Sequence, residues 1–242
     1  MKLYIIRHGE PNYEIDSLTE EGWREAEALA DRLEKENIDT FYTSPLGRAK
    51  DTAKPLLTRL GREAEVLPFL REFNDHPIWR PDNTERRKIP WDWMPEDWTG
   101  REGFFLEKEW YKDPVMEEAD VYGYYKETVE AFDALLARHG YVREGRIYKV
   151  ERGSHEKVAL FCHLGLECVL LSHLMNCSPM VLWHGLCPLP SSVTTIYTEE
   201  RRKGSASFRC ERIGDLSHLY AAGLEPSFAA RFCECYEDDT RH

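Results

Sequence analysis

Residues 2–11 read KLYIIRHGEP. Four apolar or aromatic residues, Leu3 to Ile6, run straight into Arg7, His8 and Gly9. An unbroken apolar run of this length suits a strand buried on both faces, inside a sheet covered by helices. A core strand gains nothing by ending on two cation-capable side chains. Function is therefore expected at the strand's end, and the remaining question is what else converges there.

Outward from this strand, Thr19 is placed to cap a helix whose first turn holds Glu20 and Glu21, near its positive end. Trp23, Ala26, Leu29, Ala30 and Leu33 recur behind it at helical spacing. Residues 38–43, IDTFYT, read as a second strand. Pro45 is expected to open the next helix, with Leu46, Ala49, Ala53, Leu56, Leu57 and Leu60 along one stripe and Gly61 as its stop. Residues 65–69, EVLPF, suit a third strand, kept short or at an edge by Pro68. A helix over 122–138 ends at Gly140, and a hairpin over 141–151 turns at Gly145. A strand at 157–162, a helix at 167–175 and late strands at 193–198 and 206–213 complete the pattern. This alternation predicts a three-layer α/β/α sandwich with a mostly parallel central sheet, as one domain over residues 1–242.

Residues 74–118 break the rhythm. They carry Trp79, Trp91, Trp93, Trp98 and Trp110 among prolines and acidic residues, which is not the composition of a disordered linker. An ordered, aromatic-rich cap or lid inserted into the domain is expected. Its cations Arg80, Arg86, Arg87, Lys88 and Arg101 either engage further negative charge on a ligand or simply solvate the cap.

Apolar residues make up 42% of the 242-residue chain and charged residues 31%, enough to build a sizeable core. The net charge of −12, from 44 acidic and 32 basic residues, argues against a nucleic-acid surface and leaves room only for a local basic pocket. No segment resembles a signal peptide or a membrane span. The seven cysteines, several in apolar settings like those of Cys162 and Cys168, fit free thiols, so a cytoplasmic location is expected. The CEC at 233–235 and the terminal His242 lack a second ligand pair and do not make a metal site.

Three strand ends carry reactive residues: Arg7-His8-Gly9 after LYII, Arg48 in TSPLGRAKDTA, and His163 with Gly165 in VALFCHLG. Strand ends in α/β folds hold side chains rigidly over a cleft. Arginine forks match phosphate oxygens, a neutral imidazole can attack phosphorus, and Gly9 and Gly165 permit close backbone approach. Taken singly, each residue has an ordinary structural reading: a surface charge for Arg48, a hydrogen-bonded core histidine for His163. Their joint placement is what points to a phosphoryl site.

The blocks YIIRHGE, LTEEG, YTSPLGRAKDTA, LRE and FCHLG, in this order along nearly the whole chain, resemble the histidine phosphatase superfamily, which includes the cofactor-dependent phosphoglycerate mutases. The resemblance implies that His8 is the nucleophile that becomes phosphohistidine. It implies a phosphate pocket of Arg7, Arg48 and His163, and a proton donor at Glu72 in FLREF, with Asp75 close by as a competitor. The family commonly places asparagine six residues after the nucleophile, where this chain has Glu14; Asn12 is the nearest asparagine and the candidate phosphate contact. EFNDHPIWRP lacks the glycine-rich continuation of the mutases, which favours hydrolysis over phosphoryl transfer.

The activity implied is that of a phosphomonoesterase acting on a small phosphorylated metabolite, with arginines supplying the positive charge and neither metal nor cofactor required. Mutase-like transfer between hydroxyls and non-catalytic phosphate binding are the other readings. A homodimer is left open; nucleic acid and membrane are not expected as partners. His184 and His218 are read as supporting the fold.

Overall fold

The computed structural model describes residues 1–229, 231 and 235–237, so Cys233 and His242 lie outside the described residues. Strand β1 (Lys2–Arg7) lies inside an eight-stranded sheet, and its alternation feeds two cores. Leu3 and Ile5 join a cluster with Phe132, Leu166 and Leu170 on one face, while Tyr4 and Ile6 join Leu29, Phe41 and Ala53 on the other. Full burial of such side chains stabilises the fold by roughly 1.5–3 kcal/mol each.

A small hairpin, β2 (Pro11–Asn12) and β3 (Ser17–Leu18), leads into α1 (Glu20–Leu33). Thr19 caps α1 as expected, its hydroxyl accepting from Gly22 N at 3.0 Å. β4 (Thr40–Thr43) follows, then α2 (Gly47–Leu60), which stops at Gly61 with φ +61°. Pro45 does not open α2. The Ser44 hydroxyl accepts from Leu46 N and a carboxylate of Asp16 accepts from Gly47 N, so the helix begins at Gly47. The expected third strand shrinks to β5 (Glu65–Val66), because Pro68 starts a 3-10 turn over Pro68–Leu70.

The excursion folds as the hairpin β6 (Ile78–Arg80) and β7 (Asn83–Lys88), then α3 (Pro95–Thr99), 3-10 turns at Glu102–Phe105 and Trp110–Lys112, and α4 (Pro114–Glu118). Ile78, Trp93, Phe104, Trp110 and Met116 are buried in the same cluster as Leu3 and Ile5. The segment is part of the core and not a flap laid over it.

α5 (Val121–Arg138) is followed by the hairpin β8 (Tyr141–Glu144) and β9 (Ile147–Val150), at one edge of the sheet, and by β10 (Lys157–Cys162), which lies centrally beside β1. α6 (Leu164–Met175) is apolar nearly all round and correspondingly buried. α7 (Pro179–Gly185), β11 (Val193–Arg202), β12 (Ser205–Asp215) and α8 (Ser217–Ala222) end the regular structure.

The sheet order is β5-β4-β10-β1-β11-β12-β9-β8. The predicted three-layer α/β architecture is present. β5, β4, β10 and β1 run parallel, and the half beyond β1 is antiparallel. Among the described residues no helix is long and apolar enough to cross a membrane.

Candidate active site

Strand register assembles the site. β1 pairs with β10 so that Arg7 faces Cys162, and β10 pairs with β4 so that Phe161 faces Thr43. The residues just beyond the strands, His8, His163 and Ser44, therefore emerge at one level. His8 N donates to Cys162 O at 3.0 Å, Ser44 N donates to Phe161 O at 2.9 Å, and the two imidazole centroids lie 5.1 Å apart. Three motifs distant in sequence, around His8, Ser44 and His163, thus meet over the carboxyl ends of parallel strands, where α/β folds place their ligands.

His8 is 2% exposed. Its Nδ1 lies 2.7 Å from Gly9 O. A carbonyl can only accept, so Nδ1 carries the proton and Nε2 keeps its lone pair. Burial, with Arg7 and then Arg48 adding to it, pulls the imidazole pKa down to about 3, and the ring is neutral at pH 7. Behind it, Ser191 N donates to His8 O at 3.0 Å, and the Ser191 hydroxyl lies 3.1 Å from His218 Nε2. His218 supports the His8 loop from one residue away.

Arg7 is 2% exposed; its Nη1 donates to Pro188 O at 2.6 Å, while its Nε is buried without a hydrogen-bond partner. Arg48 sits in the first turn of α2, its Nη1 donating to Asp16 Oδ1 at 2.6 Å. Its Nε is likewise buried and unpartnered. His163 Nε2 lies 2.7 Å from Ser44 Oγ, and its Nδ1 is buried with no partner. Burial, followed by the neighbouring His8, Arg48 and Arg7, holds its pKa well below the usual range. Three unpartnered nitrogens on three side chains gathered around one imidazole are a donor set for an anion, since buried polar groups normally find partners.

Glu72 is half-buried. Its Oε1 accepts from Phe73 N at 2.8 Å and from Leu166 N, in the first turn of α6, at 3.1 Å. Burial raises its pKa, against the pull of those amides and of Arg7. Asp75 instead pairs with Arg71 at 2.9 Å, on the exposed side of the same turn. A second carboxyl, Glu167, is fully buried; its Oε1 accepts from the Thr194 hydroxyl, and burial lifts its pKa to about 7.

Three expected substrate contacts have other physical reasons in the structure. A Cβ at Gly9 would lie 2.9 Å from Gly22 O, so this glycine is required by packing against α1. A Cβ at Gly165 would lie 2.2 Å from Cη2 of Trp91, so that glycine makes room for an indole. The Asn12 carboxamide accepts from Glu14 N at 3.2 Å, within its own turn. Of the five cations singled out in the excursion, four form ion pairs: Arg80 with Asp82 and Asp92, Lys88 with Asp92, Arg87 with Glu118, and Arg101 with Asp113.

Sequence reasoning missed Asp16, Ser44 and Thr52, and named Trp91 only as one of the excursion's aromatic residues. Thr52 Oγ1 accepts from Gly9 N at 2.9 Å and donates to Arg48 O at 2.7 Å, tying the His8–Gly9 loop to α2. Ser44 and Thr52 do sit inside the TSPLGRAKDTA block, at strand-end and helix spacing from Arg48. Asp16 and Trp91 reach their partners from distant segments, and no local period marks them.

Residues 3–93 match the model of the Histidine phosphatase superfamily (branch 1). The match covers less than half of the chain and falls on the segment that carries His8, Arg48 and Glu72. A relative from Photorhabdus laumondii, named probable phosphoglycerate mutase GpmB, is 35% identical over 83 residues, covering 31% of this chain and 39% of that protein. The aligned stretch is thus well under half of that relative's length. Among solved structures, a phosphoserine phosphatase from Entamoeba histolytica in complex with phosphoserine superposes with a TM-score of 0.60 at 18% identity, covering 90% of this chain and 98% of that one. A mycobacterial glucosyl-3-phosphoglycerate phosphatase with inorganic phosphate gives a TM-score of 0.54 at 20% identity, covering 90% and 98%. These likenesses describe a common fold.

Proposed function

We propose that the chain is a phosphomonoesterase that cleaves a small organic phosphate through a phosphohistidine on His8. The observation that carries this reading is the state of His8: Nδ1–H is committed to Gly9 O and the ring is held neutral between two arginines, which leaves Nε2 as a nucleophile. Arg7, Arg48 and His163 receive the phosphoryl oxygens. For His163 Nδ1 to donate, the Ser44 hydroxyl must donate to Nε2, a role open to it because its oxygen also accepts from Leu46 N.

In the first step, His8 Nε2 forms a bond to phosphorus as the ester P–O bond breaks. Glu72, whose pKa burial raises, serves as the acid and gives its proton to the departing oxygen. In the second step, Glu72 takes a proton from water, whose oxygen attacks phosphorus and breaks the P–N bond. Inorganic phosphate leaves and His8 returns to its neutral form. The two guanidinium groups supply the positive charge that stabilises the equatorial oxygens in both steps.

The contact of the Glu72 carboxyl with the first turn of α6, just after His163, supports it over Asp75 as the donor. Relatives named phosphoglycerate mutases make phosphoryl transfer the second reading. The deciding experiment follows p-nitrophenyl phosphate in the presence of chelator, with mass spectrometry of the acid-labile phosphoprotein. Wild type is expected to turn over and to carry one phosphoryl group, and His8→Ala to do neither. A phosphoenzyme formed at the wild-type rate by His8→Ala defeats the assignment. Interconversion of phosphoglycerates outpacing phosphate release would establish the mutase reading instead.

A further inference from the structure

We propose that Trp91 is a specificity-determining residue whose indole forms the leaving-group wall of the site and favours phosphomonoesters with an uncharged, planar, unsaturated leaving group. The proposal rests on the phosphomonoesterase reading and deepens it.

The indole packs flush on the backbone at Gly165, where a Cβ would lie 2.2, 2.6 and 2.7 Å from its Cη2, Cζ3 and Cζ2. Gly165 stands two residues past His163, and the next amide, Leu166 N, donates to the Glu72 carboxyl at 3.1 Å. One peptide unit therefore separates the indole from the group that protonates the leaving oxygen. Trp91 is fixed from behind by Trp183, whose ring centroid lies 5.8 Å away and whose Nε1 donates to Gly165 O at 2.9 Å. Trp91 itself stays only half-buried, so part of its surface is open to a ligand.

Charge around this wall is already spent. Asp92, the next residue, pairs with Arg80 at 3.3 Å and Lys88 at 3.6 Å, and Arg71 pairs with Asp75 at 2.9 Å. Among the described residues beside the wall, these cations are held in ion pairs. What remains is an aromatic face, which prefers a flat, unsaturated partner to a flexible aliphatic one.

The test compares kcat/KM for 1-naphthyl phosphate with that for glycerol 2-phosphate within each variant, so that a loss of folded protein cancels in the ratio. Trp91→Ala is expected to lower the naphthyl-to-glycerol ratio about 5- to 10-fold, and Trp91→Phe to retain most of it. An unchanged ratio in Trp91→Ala overturns the proposal. If wild type hydrolyses neither ester, the phosphomonoesterase reading falls, and calorimetric binding of naphthylphosphonate against methylphosphonate decides about Trp91. Selective loss of naphthylphosphonate affinity in Trp91→Ala supports the wall, and equal affinities in wild type and variant overturn it.

Discussion

The carboxylate of Asp16 holds the Arg48 guanidinium and the first amide of α2 at once, with Oδ1 2.6 Å from Nη1 and Oδ2 2.6 Å from Gly47 N. The hairpin that carries Asp16 is pressed so closely on the helix that a Cβ at Gly47 would lie 2.1 Å from Asp16 O. Tyr13, from the same hairpin, lays its ring 5.4 Å from the Arg48 guanidinium carbon. The arginine assigned to the phosphate is thus aimed by a residue that need not touch substrate.

Asp16→Ala is expected to raise KM for a phosphate ester about tenfold, as the loss of a single oriented charge-assisted contact does. It also removes a helix cap and costs about 1 kcal/mol of stability in urea unfolding. Asp16→Asn keeps an acceptor for Gly47 N but loses the charge on Arg48, so it should recover stability and not KM. Recovery of both by asparagine would show that the carboxylate only caps the helix.

Thr52 offers a separate measurement. Its buried hydroxyl accepts from Gly9 N and donates to Arg48 O, so valine of similar shape strands a buried amide beside His8. Thr52→Val should lose roughly 1–3 kcal/mol of stability. A loss below about 0.5 kcal/mol in chemical denaturation would mean that the Gly9 amide finds another partner.

The fully buried Glu25 predicts how stability follows pH. Burial lifts its pKa from 4.5 to about 7, although Oε2 accepts from Glu10 N at 2.8 Å. The folded protein therefore binds this proton more readily than the unfolded chain. The contribution is full below pH 4.5 and is lost as pH rises through about 7. Glu25→Gln, which cannot ionise, should be more stable than wild type by about 1–2 kcal/mol at pH 8, with the two curves converging near pH 4. Parallel curves across that window would contradict the burial of a charge-prone carboxyl.

Glu72 and Asp75 are separated by leaving-group dependence. Glu72→Gln should slow an alkyl phosphate by about 10²–10⁴ and a nitrophenyl phosphate far less, because the latter needs no proton. Asp75→Asn should affect both alike and slightly. The reverse pattern would move the donor to Asp75.

Much of this arrangement was legible in the sequence because it depends on local periods. The buried strand at Leu3 to Ile6, the Thr19 cap and the Gly61 stop are written in adjacent residues. His8, Arg48 and His163 were readable because each follows an apolar strand, and strand ends gather at one edge of a parallel sheet. The start of α2 was misread at Pro45 because Asp16, distant in sequence, caps Gly47. Gly9 and Gly165 were read as allowing close backbone approach, while their contacts with Gly22 and Trp91 are brought about only by tertiary packing. Within the excursion no period exists to read, since its tryptophans are placed by the core they fill.

A segment that merely covered a pocket could be exchanged whole between related proteins. Here Phe104, Trp110 and Met116 fill the same interior as Leu3 and Ile5, so replacing residues 74–118 would empty the molecule's centre. Divergence in what the protein recognises is then confined to the partly buried positions, such as Trp91 and Trp98, whose side chains reach outward from that interior. New substrates would be reached by single side-chain steps on a scaffold that cannot itself be traded.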